Sequence, residues 1–414
     1  ALNRALPAGR GALTVGVLSA LVKSTLMTPK RRLPVQASDL QGLSRLATDA
    51  TVGIVDLVER MHHTIARGTG IVGTAPQGRT SGITGLVYRA VRGGAQLSGR
   101  GVDLALAGAA RLLPGGDSPP AREAALATLN GIWGNHLEAT GNPLAIPMTL
   151  RVAGRALLLD RESLAAACPQ ASGRLLVLVH GLCMNDLQWQ RDGHDHGQAL
   201  AQAAGWSPVY LHYNSGRHVS SNGRDFAQRL EQLVAHWPVP VRELAIVGHS
   251  MGGLVTRSAV HAATHGPDAP MQWPQRLTAL IFLGTPHHGA PLERGGQFID
   301  RLLAFSPYVK PFTRLSHARS AGITDLRFGN LQDADWQGRD RHAQKRDDRR
   351  PTPLPAGVAV HLVAATTAGC ETDLSARLLG DGLVPLASAL GRHDDPALAL
   401  RVADSDRWVV NGAN

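Results

Sequence analysis

The sequence predicts an α/β fold: a mostly parallel, doubly wound sheet with an antiparallel start. Three observations predict it. At Met148 the hydrophobic period changes from helical to two. From there, short apolar runs alternate with stretches of helical period, the pattern of strands joined by crossover helices. One such run, Leu244-Ala-Ile-Val-Gly248, passes through His249-Ser-Met251 directly into a second glycine and a helix.

Taken in order, residues 1–37 read as a basic, poorly ordered lead. Ser38-Asp-Leu-Gln41 has the form of a capping box. Behind it Leu40, Leu43, Leu46, Ala50, Ile54, Leu57, Met61 and Ile65 share one face of a long amphipathic helix that closes at Gly68. Helical period resumes over 83–112, rich in Ala and Gly, and again over 121–139, where Leu126, Leu129, Ile132 and Trp133 point inward. Residues 38–145 are therefore expected to form a helical extension. It is either a layer packed on the main domain or an element that caps substrate or lies on a membrane surface.

The main domain is expected over 146–414. It opens with a hairpin, 148–152 against 155–160. Strands follow at 175–179, 208–213, 244–247, 277–283, 358–364 and 408–410, with helices at 197–204, 223–236 and 252–264. Residues 290–350 interrupt the alternation. Phe298, Leu302, Leu303, Phe305, Tyr308 and Phe312 make an apolar patch, and a mixed-charge run follows from Arg339 to Arg350. The segment reads as a lid or cap insertion, or else as an ordinary pair of surface helices.

Bulk properties narrow the partners. The 414 residues carry 42 Lys and Arg against 32 Asp and Glu, a formal charge of +10. Only Lys23, Lys30, Lys310 and Lys345 are lysines, and the arginines are spread along the chain, so no binding stripe for nucleic acid forms. Aromatic residues make up 4 %, too few for base-stacking platforms. Loose attraction to anionic lipid remains compatible with the charge. Cys168, Cys183 and Cys370 form neither a metal-ligand pattern nor a disulfide framework, which leans toward a reducing compartment. No apolar run reaches the roughly 18 residues of a membrane span. Residues 12–22 faintly resemble a secretory signal, but Lys23 follows them without a clear cleavage site. A cytoplasmic or membrane-peripheral location is expected ahead of export.

Chemistry concentrates around Gly248-His-Ser-Met-Gly252. A serine on a sharp strand-to-helix turn is held in a strained conformation that leaves no room for side chains two residues away on either side. The turn exposes the Ser250 hydroxyl and aims the Met251 N–H, at a helix N-terminus, toward a developing oxyanion. A nucleophilic serine also needs a second donor, a base and a carboxylate. The strand 175–179 ends at His180-Gly-Leu-Cys183, whose Leu182 N–H can be the second donor; His180 reads as a residue that fixes this loop. Asp381, in Gly380-Asp-Gly-Leu-Val-Pro385, reads as the carboxylate or as a tight-turn residue, with Glu371 and Asp373 as runners-up. His287 and His288, in Gly284-Thr-Pro-His-His-Gly289, are expected to line the site or fix their loop. The base belongs on the loop after the last strand and is expected just beyond Asn414, with His393 the in-chain alternative.

Together, His180-Gly181, Gly248-His-Ser-Met-Gly-Gly253, Gly284-Thr-Pro-His-His-Gly289 and Asp381-Gly-Leu-Val-Pro385 resemble the α/β-hydrolase lipases and esterases. The similarity is strongest to the branch of PGAP1-like and bacterial triacylglycerol lipase-like proteins, over about residues 146–414. The resemblance implies Ser250 as nucleophile, Asp381 as triad acid, and Leu182 and Met251 as oxyanion donors. The resemblance is specific for the fold and for acyl chemistry and not for the substrate; the expected substrate is a carboxylic ester with a sizeable apolar, lipid-like acyl part, cleaved without metal or organic cofactor. Two other outcomes fit the same residues: an acyltransferase on the same site, and a catalytically inactive lipid-binding or scaffolding homologue.

Overall fold

The computed structural model of the protein describes residues 38–46, 48–49, 52, 86, 89–90, 92–94, 96–97, 100–101, 120–191, 193–290, 320–339, 347–366 and 384–411. The chain divides into two compact units. One comprises Arg31–Arg122 and Leu137–Ala145; the other includes Glu123–His136 and Ile146–Asn414 and carries the sheet. In the first, 38–46 is helical. Asp39 there receives Arg122 Nε at 2.8 Å and Nη2 at 2.5 Å, and Asn142 Nδ2 donates to Gly42 O at 3.1 Å. Asp381 and residues 291–319 and 340–346 of the expected lid lie outside the described residues.

The second unit takes up the chain with residues 123–136 of helix α1 (Pro120–Ala139) and the hairpin β1 (Thr149–Val152) and β2 (Arg155–Ala156). Strands β3 (Arg174–Val179), β4 (Ser207–His212), β5 (Glu243–His249), β6 (Leu277–Leu283), β7 (Ala359–Thr366) and β8 (Arg407–Asn411) follow. They form one eight-stranded sheet in the order β8-β7-β6-β5-β3-β4-β1-β2. Pairings from β8 across to β4 are parallel, and those of β1 with β4 and β2 are antiparallel. This is the expected mostly parallel sheet with an antiparallel start.

The central strands are continuous apolar runs because both faces are covered. Leu175 to Val179 are each fully buried, and each such aliphatic side chain contributes about 1.5–3 kcal/mol over exposure. Alternate residues divide between the faces. Leu176, Leu178, Ala245, Val247, Ile281 and Leu283 pack with Trp189, Trp206 and Leu200, the last on α3 (His196–Ala204). Leu175, Val177 and Ile246 turn to the opposite face, where α4 (Val219–His236) packs on α5 (Met251–His265). Registers run Val179↔Gly248 and Val179↔Leu211, so β3, β4 and β5 end level. The loops leaving those ends share one edge, where open parallel sheets hold their ligands.

Two elements depart from the sequence expectation. The hairpin's second strand stops at Ala156 instead of reaching 160. Asp160 instead caps α2 (Arg161–Ala167), its Oδ1 accepting from Ser163 N at 2.8 Å. Helix α4 starts at Val219, four residues earlier than its apolar period indicates, because Asp325 Oδ2 accepts the Val219 N–H at 2.8 Å. That cap comes from 106 residues along the chain.

Candidate active site

Ser250 stands between β5 and α5 with φ 51° and ψ −125°. A positive φ at a residue with a side chain costs roughly 1–3 kcal/mol and persists only where neighbours impose it. The neighbours are identifiable. Ser250 N donates to Leu283 O at the end of β6, at 2.8 Å. A Cβ on Gly248 would lie 2.6 Å from Gly253 Cα, and one on Gly252 would lie 2.4 Å from Val179 O. The glycines of the motif are therefore demanded by close approach of backbone on both sides. Met251 is fully buried at the first position of α5, and its N–H is one of the amides a helix N-terminus leaves without an intrahelical partner.

The loop after β3 lies directly beside the serine. A Cβ on Gly181 would sit 3.0 Å from Ser250 Cβ and 3.2 Å from His249 Nδ1. Leu182 is next and almost fully buried. The following amides are already engaged: Cys183 N donates to Ser215 Oγ at 3.0 Å, and Met184 N to Gly181 O at 3.3 Å. His180 is fully buried, stacked on Tyr213 with ring centroids 4.3 Å apart, and its Nδ1 is 2.9 Å from Gly181 O. Tyr213 in turn donates its hydroxyl to His180 O at 2.8 Å. Burial, with His212 nearby, lowers the His180 pKa to about 3, so the ring stays neutral. That environment suits a residue that fixes a loop.

The loop after β6 holds His287 and His288, both neutral. Burial, then Arg257, depresses His287 well below its ordinary value, and burial with Arg349 brings His288 to about 3. Arg349 Nη2 donates to His288 Nδ1 at 2.7 Å and Arg349 Nη1 to His287 O at 2.6 Å; Arg257 Nη1 faces His287 Nδ1 at 3.4 Å. The Nδ1 lone pair of each ring is turned to a guanidinium, so these rings fix their loop. His393 sits in a turn, its Nδ1 accepting from Asp395 N at 2.9 Å and its Nε2 3.5 Å from Asp347. Its ring lies 4.9 Å from that of His288.

Beneath the loop after β3 lies a buried polar cluster with no local sequence signal. Arg151 Nη1 reaches Glu123 at 3.3 Å and Asp186 at 3.2 Å, and His212 Nδ1 lies 3.0 Å from Asp186. Burial raises the Asp186 carboxyl, but His212 and Arg151 outweigh it and the net shift is downward. Among the described residues no group of His, Cys, Asp and Glu is arranged to hold a metal, and no helix is long and apolar enough to cross a membrane.

A mostly parallel sheet of this order, with a strained serine at the exit of its fifth strand and a His-Gly loop beside it, has the architecture of the α/β-hydrolase fold class. Within that class, residues 170–347, from just before β3 past the serine and the His-His loop, match the family model of the PGAP1-like alpha/beta domain. No curated protein matches the chain. Among solved structures, the mature lipase BlEst2 of Bacillus licheniformis is 19 % identical, with 57 % of this chain and 84 % of that one covered and a TM-score of 0.36. The metagenomic carboxyl esterase MGS0156 is 18 % identical over 74 % and 87 %, TM-score 0.34. Phospholipase PlaB of Legionella pneumophila is 17 % identical over 52 % and 44 %, TM-score 0.30. Likenesses at this level carry no argument; the class rests on the sheet, the serine turn and the family match.

Proposed function

We propose that the protein is a serine hydrolase of carboxylic esters with an apolar, lipid-like acyl part. Ser250 Oγ attacks the ester carbonyl carbon while its proton passes to a histidine base. The alcohol departs with that proton, and water then hydrolyses the acyl-enzyme by the reverse proton route. The amides of Met251 and Leu182 receive the oxyanion. Asp381 orients the base, which belongs on the loop after β8. Residues 146–414 carry the chemistry; 38–145 is a helical extension, and 290–350 covers the acyl chain. Triad chemistry of this kind calls on no metal.

The observation that carries this reading is the Ser250 backbone, held at φ 51° with the Gly181 loop against its side chain. Strain of that kind is retained where a reactive group must stand clear of its own helix. A fluorophosphonate should label the full-length protein on Ser250, and Ser250→Ala should abolish both labelling and hydrolysis of p-nitrophenyl esters. Faster turnover of octanoate than of acetate is expected. A protein that retains lipid but never takes the label is an inactive binder, and the proposal fails.

A further inference from the structure

The residue after the proposed oxyanion donor is itself strained. Cys183 has φ 60° and is almost fully buried. A non-glycine residue stays there only when its surroundings over-determine it. Part of that grip comes from the loop after β4, through Ser215 Oγ. The rest comes from α1, a helix upstream of the hairpin that opens the sheet.

Cys183 Sγ lies 3.8 Å from Thr128 O of α1 and donates to it. Gly131, at the middle of α1, meets Cys183 so closely that a Cβ there would be 2.2 Å from Sγ and 3.0 Å from both Cα and N. The same stretch braces the neighbouring loop: a Cβ on Gly216 would fall 2.1 Å from Asn130 O. Ser320 Oγ donates to Gly131 O at 2.6 Å, a second hold on the same helical residue. At the start of α1, Glu123 shares Arg151 with Asp186, three residues beyond Cys183. Glycine inside a helix costs about 1 kcal/mol relative to alanine. In a helix otherwise rich in alanine, Gly131 is kept for the contact with Cys183.

We propose that α1 is a positioning element of the active site, with Gly131 and Arg151 as positioning residues. The helix clamps Cys183 and so sets the direction of the Leu182 N–H. The inference rests on the serine-hydrolase reading, since it assigns a role to that reading's second donor.

The test uses the full-length protein with p-nitrophenyl butyrate and a fluorophosphonate. Gly131→Ala favours the helix but pushes a methyl into the loop. It should lower kcat and the labelling rate of Ser250 by about 10–100-fold, short of the roughly 10²–10³ lost when an oxyanion donor is removed outright, with KM within about 2-fold. Adding Cys183→Gly, which clears the thiol and relaxes the backbone, should recover about 10-fold of kcat. Arg151→Met should cost about 10-fold in kcat with KM held, and it carries the test if Gly131→Ala does not fold. Unchanged kcat in a folded Gly131→Ala overturns the proposal, as does a loss that tracks the melting temperature and shows no recovery in the double variant. A wild-type protein that takes no label overturns the hydrolase reading itself; a wild type that labels while Gly131→Ala labels equally fast overturns only the role of α1.

Discussion

Arg257 and Arg349 both lie buried beside the His287-His288 loop, yet replacing them by methionine should have very unequal consequences. Arg257 is 5 % exposed and makes a 2.6 Å bond to Thr352 O and a 3.4 Å contact with His287 Nδ1. Burial, then Arg349, pushes its pKa from 12.5 to about 9. It is charged at pH 7, and at 1.36 kcal/mol per pH unit that burial costs about 5 kcal/mol. Arg257→Met removes this cost while leaving Thr352 O unpaired, a loss of about 1–3 kcal/mol together with a charged hydrogen bond of similar size. The terms nearly cancel, so stability at pH 7 should stay within about 2 kcal/mol of wild type. Arg349 instead donates to His287 O, Gly329 O and His288 Nδ1, and its Nε lies 3.1 Å from both Asp347 oxygens. Arg349→Met should cost about 3–5 kcal/mol, since it strands a carboxylate and several acceptors. Urea denaturation measures both. The pH dependence adds a sign. The folded pKa of Arg257 lies below the unfolded one, so the unfolded chain binds the extra proton and folding is favoured as pH rises. Between pH 8 and 10 wild type should therefore gain roughly 1 kcal/mol relative to Arg257→Met. A loss above about 3 kcal/mol in Arg257→Met at pH 7 would refute this reasoning and reveal a carboxylate facing the guanidinium.

Gly252→Ala should lower kcat by about 100-fold with little change in KM. The added Cβ would stand 2.4 Å from Val179 O and 2.5 Å from His180 O, forcing the donor loop to shift by about 1 Å. Wild-type kcat on p-nitrophenyl butyrate would contradict it. Asp186, whose carboxyl is depressed in the fold, contributes stability that is present above its unfolded pKa and is lost as the pH falls through the folded one. Wild type should therefore lose stability more steeply than Asp186→Asn as pH drops below about 4, a difference that urea melts at pH 5, 4 and 3 resolve. Parallel curves would mean that His212 and Arg151 do not hold that carboxylate.

What the sequence disclosed depended on how local each signal was. Apolar runs such as 277–283 marked strands because their neighbours in sequence carry the whole pattern, and β6 has those bounds. The turn at Ser250 was legible because five consecutive residues encode it. The Glu123–Arg151–Asp186 cluster was not, since its bonds span 28 and 35 residues and each member alone reads as a surface charge. The α1–Cys183 clamp was hidden for the same reason: Thr128 and Cys183 are 55 residues apart. The early start of α4 escaped because its cap is a distant aspartate. Asp381 stands on its sequence motif alone, outside the described residues.

The hydrogen bond from Ser250 N to Leu283 O bears on biosynthesis. A ribosome-bound nascent polypeptide that has emerged only as far as Ser250 contains the proposed nucleophile but not the strand that tethers its amide. The strained turn therefore cannot be tethered until Leu283, 33 residues further on, has been translated and paired, and the proposed acid Asp381 and the base proposed on the loop after β8 follow later still. Until then the hydroxyl is an ordinary alcohol, and a chain stalled early in synthesis cannot acylate itself.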